Sequence, residues 1–208
     1  MTIWDQQFAG SAFKYGTQPN AFLVEQAGRI AARGQVLLPG DGEGRNSVWL
    51  AKQGFSVTAM DNSAVGLEKA RKLAHAQGVS IQTVHADLHH WVPESDSTDA
   101  VVLIYVHLPS MVRAVAMPRL MRALRPGGVM VLEAFHPRQL GLPSGGPKVP
   151  DMLYTLELLR GDLSQLEDPG LHELLGWEGP VTLDEGPGHQ GPAYVTRWVL
   201  QRDAVPTP

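Results

Sequence analysis

Val36-Leu37-Leu38-Pro39-Gly40-Asp41-Gly42-Glu43-Gly44-Arg45-Asn46 decides the fold of this 208-residue chain. An apolar run, a glycine-rich turn and a polar segment suited to the start of a helix follow one another without a break. The next apolar segment, Ser56-Val57-Thr58-Ala59-Met60, ends in Asp61. Strand, glycine turn, helix and a second strand closed by an acid form the first half of a nucleotide-binding α/β unit.

Working outward, the alternation continues. Leu67, Ala70, Leu73 and Ala74 share one face of a helix that stops at Gly78, and Ile81 to His85 reads as strand three. Asp99 to Val106 is apolar after its first residue, the pattern of a central strand buried on both faces. Ser110 caps a helix running to Leu124, which Pro118 kinks or restarts; Arg125 to Gly128 is a turn, and Val129 to Phe135 is strand five. The fold class this predicts is α/β: a doubly wound, mostly parallel Rossmann-like sheet with helices on both faces. Val195, Arg197 and Val199 alternate with Thr196, Trp198 and Leu200, which predicts a last strand over Ala193 to Gln201.

The flanks are less regular. Residues 1–19 form an arm with Trp4, Phe8, Phe13 and Tyr15, aromatics expected chiefly to fill core, and Asn20 caps a helix that ends by Gly34. After Phe135 comes a proline- and glycine-rich loop carrying His136, Arg138 and Lys148, placed over the carboxyl edge of the sheet. A helix over Met152 to Arg160, short strands over Leu171–Leu175 and Val181–Glu185, and a loose tail from Asp203 to Pro208 complete the expectation. The whole chain reads as one domain: arm 1–19, core 20–135, lid or substrate insertion 136–170, and C-terminal strands 171–202.

Composition narrows the function. Net charge is −4 with no basic block, which disfavours a nucleic-acid partner. No apolar run approaches the ~18 residues of a membrane span, and the N-terminus has no signal-peptide pattern. Zero cysteines exclude disulfides, a thiol nucleophile and cysteine-ligated metal, and fit a reducing cytoplasm. The expected partner is a small molecule; oligomeric state is not legible.

Spacing identifies the ligand class. Gly40, Gly42 and Gly44 give G-x-G-x-G, whereas the dinucleotide fingerprint needs glycine where Arg45 stands. Asp61 is placed to accept from two ribose hydroxyls, and Asp87, after strand three, from an adenine amino group. Loop plus two acids at consecutive strand ends describe an adenosine-bearing ligand without a pyrophosphate. An NAD(P)-dependent oxidoreductase is the weaker enzyme reading, and a cofactor-binding protein without turnover is the non-enzyme alternative.

Gly40 to Asn46, Ala59-Met60-Asp61-Asn62-Ser63, Ala86-Asp87-Leu88 and Leu124-Arg125-Pro126-Gly127-Gly128 resemble the successive motifs of class I S-adenosylmethionine-dependent methyltransferases. Trp4-Asp5, Tyr15-Gly16, Pro19-Asn20, Gly44-Arg45-Asn46, Gly145-Gly146-Pro147 and Glu185-Gly186 with His189 and Gly191 narrow the resemblance to the tellurite-resistance TehB-like branch, near the thiopurine methyltransferases. The resemblance implies methyl transfer from S-adenosylmethionine to a small acceptor, a thiol or a selenium or tellurium oxyanion. Carried onto this chain, it implies a cofactor site of Tyr15, Gly40, Asp41, Gly42, Glu43, Gly44, Arg45, Asn46, Asp61, Asn62, Ser63, Asp87, Leu88, Tyr105 and Val106. Leu38 stands where the family places an acid, leaving Asp41 or Glu43 as substitute anchor. His189 is the catalytic candidate, suited to proton transfer near neutral pH, with an exposed turn histidine as the alternative. Tyr15 caps the methionine end or is simply a buried aromatic. His107 and Arg138 are the substrate candidates, His107 otherwise being a satisfied core histidine. His89-His90 lacks a ligand spacing, and no metal site is assigned.

Overall fold

β1 (Gln35–Pro39) is an interior strand of the sheet, its apolar residues covered on both faces. It pairs in parallel with β2 (Ser56–Asp61) on one side and β4 (Thr98–Ile104) on the other. β3 (Gln82–His85) extends the sheet beyond β2, and β5 (Leu124–Phe135) beyond β4, both parallel. β6 (Leu171–Asp184) and β7 (Gln190–Arg202) form a hairpin whose β7 runs antiparallel to β5. The order is β3-β2-β1-β4-β5-β7-β6. The computed structural model describes residues 1–164 and 170–204.

Alternating side chains of the central strands build two cores. Val101 and Leu103 of β4 pack with Met130 and Leu132 of β5 against α5 (Ser110–Ala123) and α6 (Leu156–Leu163). Ala100, Val102 and Ile104 face the opposite side, with Leu23 of α2 (Ala21–Gln26) and Leu50 of α3 (Arg45–Lys52). Leu38 lies in that second core, 2% exposed. α1 (Ile3–Gln7) closes the arm onto α4 (Ala64–Ala76): Ser63, which caps α4, also donates to Asp5 at 2.7 Å. Among the described residues no helix is long and apolar enough to cross a membrane.

Five local expectations are corrected. The helix expected over Met152–Arg160 is a 3-10 turn at Pro150–Met152 followed by α6, because Thr155 accepts from the Leu158 amide and sets the helix start there. The two short strands after residue 170 are one long β6; Gly176, Gly179 and Pro180 look like breakers, yet each pairs with β7. The Arg125–Gly128 turn lies inside β5, bulging between Leu124 paired to Thr98 and Val129 paired to Ala100. Ser110 is the first residue of α5 rather than its cap; its amide donates to Asp151 instead, and α5 runs through Pro118 as one element. The irregular arm contains a helix, α1, fixed by a reciprocal Thr2–Asp5 capping box. The end of the tail, residues 205–208, and residues 165–169 of the lid segment lie outside the described residues.

Candidate active site

The chain runs outward from β1 to β2 and β3, then returns to β4 on the other flank, so the sheet reverses order between β1 and β4. Ligands of open α/β sheets bind outside the strand carboxyl ends at such a point. A cavity of about 310 Å³ lies there. Its walls come from successive strand ends: Gly40, Asp41 and Gly42 after β1, Asp61 and Asn62 at β2, Asp87 and Leu88 after β3, Tyr105 to Leu108 after β4, and Phe135 at β5.

The glycine spacing has a packing cause at its third position. A Cβ on Gly44 would lie 2.7 Å from the Ala70 backbone, and its φ is +92°, so glycine lets α3 seat against α4. With α3 so placed, Arg45 and Asn46 at its start line the cavity. Asp61 accepts from the Gly42 amide at 2.8 Å and the Ser63 amide at 2.8 Å. Those bonds hold the loop while leaving acceptor capacity for a ligand hydroxyl. Burial raises the Asp61 pKa, against the lowering effect of these amides.

The other end of the cavity is aromatic and uncharged. His189 packs against Tyr15, Tyr105 and Phe135, with ring centroids at 4.3, 4.4 and 5.3 Å. Its Nδ1 faces Glu185 Oε2 at 3.8 Å, too long for a hydrogen bond, and has no other partner. Glu185 Oε2 in turn lies 2.8 Å from Arg45. Burial pushes the Glu185 carboxyl up, but His189 and Arg45 outweigh it and hold it below the usual range. Burial lowers the His189 pKa, only partly opposed by Glu185, so the ring is neutral at pH 7.

His107 is different. Its Nδ1 meets Met152 O at 2.6 Å and its Nε2 accepts from the Phe135 amide at 3.3 Å. Both nitrogens are taken by backbone, and burial drives its pKa down to about 4. It presents a ring to the cavity rather than a free nitrogen, and it ties the ends of β4 and β5 to the Met152 turn.

The arm and the last hairpin roof this end. Gly188 N donates to Lys14 O at 2.9 Å, and the Gly186 backbone abuts Gly16. Trp4 and Phe8, expected as core filling, line the cavity beside Tyr15.

Four expected site residues lie outside the cavity lining. Glu43 turns to Lys69 and the Lys14 amide, because these satisfy its carboxylate at the foot of the arm. Gly44 supplies helix packing, and Ser63 caps α4. Arg138 donates to Tyr194 Oη at 3.0 Å and stacks on that ring, outside the cavity lining. His89 and His90 stack on one another at 4.5 Å.

Sequence reasoning missed Phe135, Leu108, Pro147 and Met152 as lining. It also missed the buried polar network beneath the aromatic end. Glu133 accepts from Asn20 at 2.7 Å, Tyr105 at 2.8 Å and Arg197 at 2.5 Å, and Asn20 bridges to Glu185 at 2.8 Å. Phe135 was available from the strand-end rule; the network depends on long-range pairings that carry no local signal.

Residues 36–128 match a family model described as a methyltransferase domain. No curated protein matches the chain significantly in sequence. Among solved structures, one reported for conversion of a disulfide bond into a thioacetal group during echinomycin biosynthesis is similar over 97% of this chain and 92% of its own, with TM-score 0.75 and 21% identity. TehB from Haemophilus influenzae is similar at TM-score 0.69 and 17% identity, over 96% of this chain and 66% of its own. The Burkholderia thailandensis 1,6-didemethyltoxoflavin N1-methyltransferase, solved with S-adenosylhomocysteine, is similar at TM-score 0.59 and 18% identity, over 88% and 76% of the two chains. At these identities the likeness carries the fold.

Proposed function

We propose that this chain is an S-adenosylmethionine-dependent methyltransferase whose acceptor is a small thiol with an apolar body, a reading supported by the methyltransferase-domain match over residues 36–128. One observation carries this reading: the acceptor end of the cavity is lined by uncharged rings and apolar side chains, with His189 at its centre. Arg45 is the one cationic residue among the described residues lining the cavity, and it is engaged by Glu185. A selenium or tellurium oxyanion would find no free cation there, and desolvating it without one is costly. The similarity to a structure reported for thioacetal formation supports a sulfur acceptor.

The residues present fit the cofactor: Asp87 and Asp61 suit adenosine, and aromatic faces suit a sulfonium. Bound there, S-adenosylmethionine supplies an activated methyl for in-line displacement. The chain's own residues position and dehydrate the acceptor. His189, whose ring lines the cavity, takes the thiol proton and leaves a thiolate to attack the methyl group. Incubating the protein with S-adenosylmethionine and a panel of thiols, selenite, tellurite, amines and carboxylates tests this. S-methyl products are expected, and methylated tellurium or selenium with no thioether would refute the thiol assignment.

A further inference from the structure

The lid turn Gly145–Gly146 packs directly on the rings of the acceptor end. A Cβ on Gly145 would lie 2.9 Å from His189 Cδ2 and 3.4 Å from its Nε2, and one on Gly146 would lie 2.8 Å from the Phe135 ring. Gly146 and Pro147 line the cavity together with His189 and Phe135. Both glycines have positive φ, +112° and +85°. Two glycines in succession bring no side chain to pack and wide backbone freedom, so other groups must fix the turn.

Gln139 and Ser144 do so. They are 1% and 2% exposed, and neither lines the cavity. Gln139 closes a 3-10 turn, Pro137–Gln139, just after β5. Its Oε1 accepts from the Tyr194 amide of β7 at 2.9 Å, and its Nε2 donates to Ser144 Oγ at 2.9 Å and to Gly145 O at 3.2 Å. Ser144 Oγ donates in turn to Pro192 O of β7 at 2.6 Å. A buried network in which every side-chain polar atom is paired is rigid. It ties the glycine turn to the same strand that follows His189.

Resting on the acceptor reading above, we propose that Gln139 and Ser144 are positioning residues that set acceptor size: they hold the glycine turn against the His189 and Phe135 rings, so that a compact thiol fits beneath it and a bulky one does not. Neither touches the acceptor. Both act through the turn.

Gln139→Met, which keeps the length of the side chain without its hydrogen-bonding groups, and Ser144→Ala test this. Methylation of ethanethiol and of 2-naphthalenethiol is measured beside calorimetric titration with S-adenosylhomocysteine. In both variants the ratio of kcat/KM for the small thiol to that for the large one should fall about tenfold, while affinity for S-adenosylhomocysteine changes by less than about twofold. An unchanged ratio in either variant, or an affinity that falls as far as the ratio does, overturns the proposal. A wild type that methylates no thiol overturns instead the acceptor reading, and the His189 ring protons, followed by NMR through a pH titration, then decide. Glu185, Arg45 and Lys14 are the charged groups acting on that ring, and neither substitution alters them. Burial holds the ring below the ordinary histidine value of 6.5, and a loosened turn should admit water and move the titration up toward it in both variants. A titration that does not move overturns the proposal.

Discussion

The Arg45 guanidinium lies 2.8 Å from the Glu185 carboxylate, with both side chains 8% exposed, and so joins the glycine loop after β1 to the turn before β7. The pair closes the cavity from two distant parts of the chain and sets the electrostatics around His189. A buried pair is a weak net stabiliser but costly to break from one side. Glu185→Ala strands Arg45 and also removes an acceptor from Asn20. Chemical denaturation should show a loss of about 3–5 kcal/mol; a change within ordinary surface-mutation scatter would mean the pair is solvated.

His189 bears on turnover rather than stability. His189→Ala should lower kcat for thiol methylation by about 10²–10⁴-fold, the usual worth of a positioned base, with cofactor affinity little changed. Because burial lowers its pKa, the base stays neutral through the ordinary histidine value of 6.5, and the rate should fall only at more acidic pH. Unchanged turnover in steady-state assays of the variant would remove His189 from the chemistry.

How far the sequence carries the site divides along these two residues. The strand–loop–helix unit, Asp61 and Asp87 were legible because each is set by local spacing and by the rule that strand carboxyl ends carry ligands. His189 was legible as a residue type in a suitable turn. Its neighbours were not: Tyr15, Tyr105 and Phe135 come from the arm, β4 and β5, and only folding assembles their rings around it. Arg45 was read as the residue that breaks a dinucleotide fingerprint, while its partner lies 140 positions away on another element. The direction of Arg138 was not legible because loop charge says nothing about direction, and here the side chain stacks on the Tyr194 ring. The long hairpin was hidden because β6 is largely exposed and its glycines resemble strand breaks.

Gly186 tests the roof. Its φ is +80°, and a Cβ there would strike the Gly16 backbone. Gly186→Ala should cost roughly 1–2 kcal/mol from the left-handed backbone alone. It should also push the arm off the hairpin, so that binding of S-adenosylhomocysteine weakens more than global stability does. Calorimetry and thermal melts on one sample separate the two; equal effects would contradict a roofing role.

Acid should destabilise the fold through His107. Its folded pKa, about 4, is below its unfolded value of 6.5. As pH falls through that interval the unfolded chain takes up a proton that the folded one refuses, so stability drops by up to about 3 kcal/mol. His136 and His189 shift in the same direction and add to the loss. His107→Gln should flatten its own share of the slope in urea titrations across this range. An identical slope in variant and wild type would show that the ring protonates freely in the fold.

The most direct test of the account is calorimetric titration of the wild-type chain with S-adenosylhomocysteine at neutral pH, beside NAD(P) as control. One site per chain for S-adenosylhomocysteine, weakened when Asp61 is replaced by alanine, is the expected result, with no heat from the dinucleotide. No heat and no thermal stabilisation at roughly millimolar S-adenosylhomocysteine, a concentration at which even weak sites fill, would contradict it.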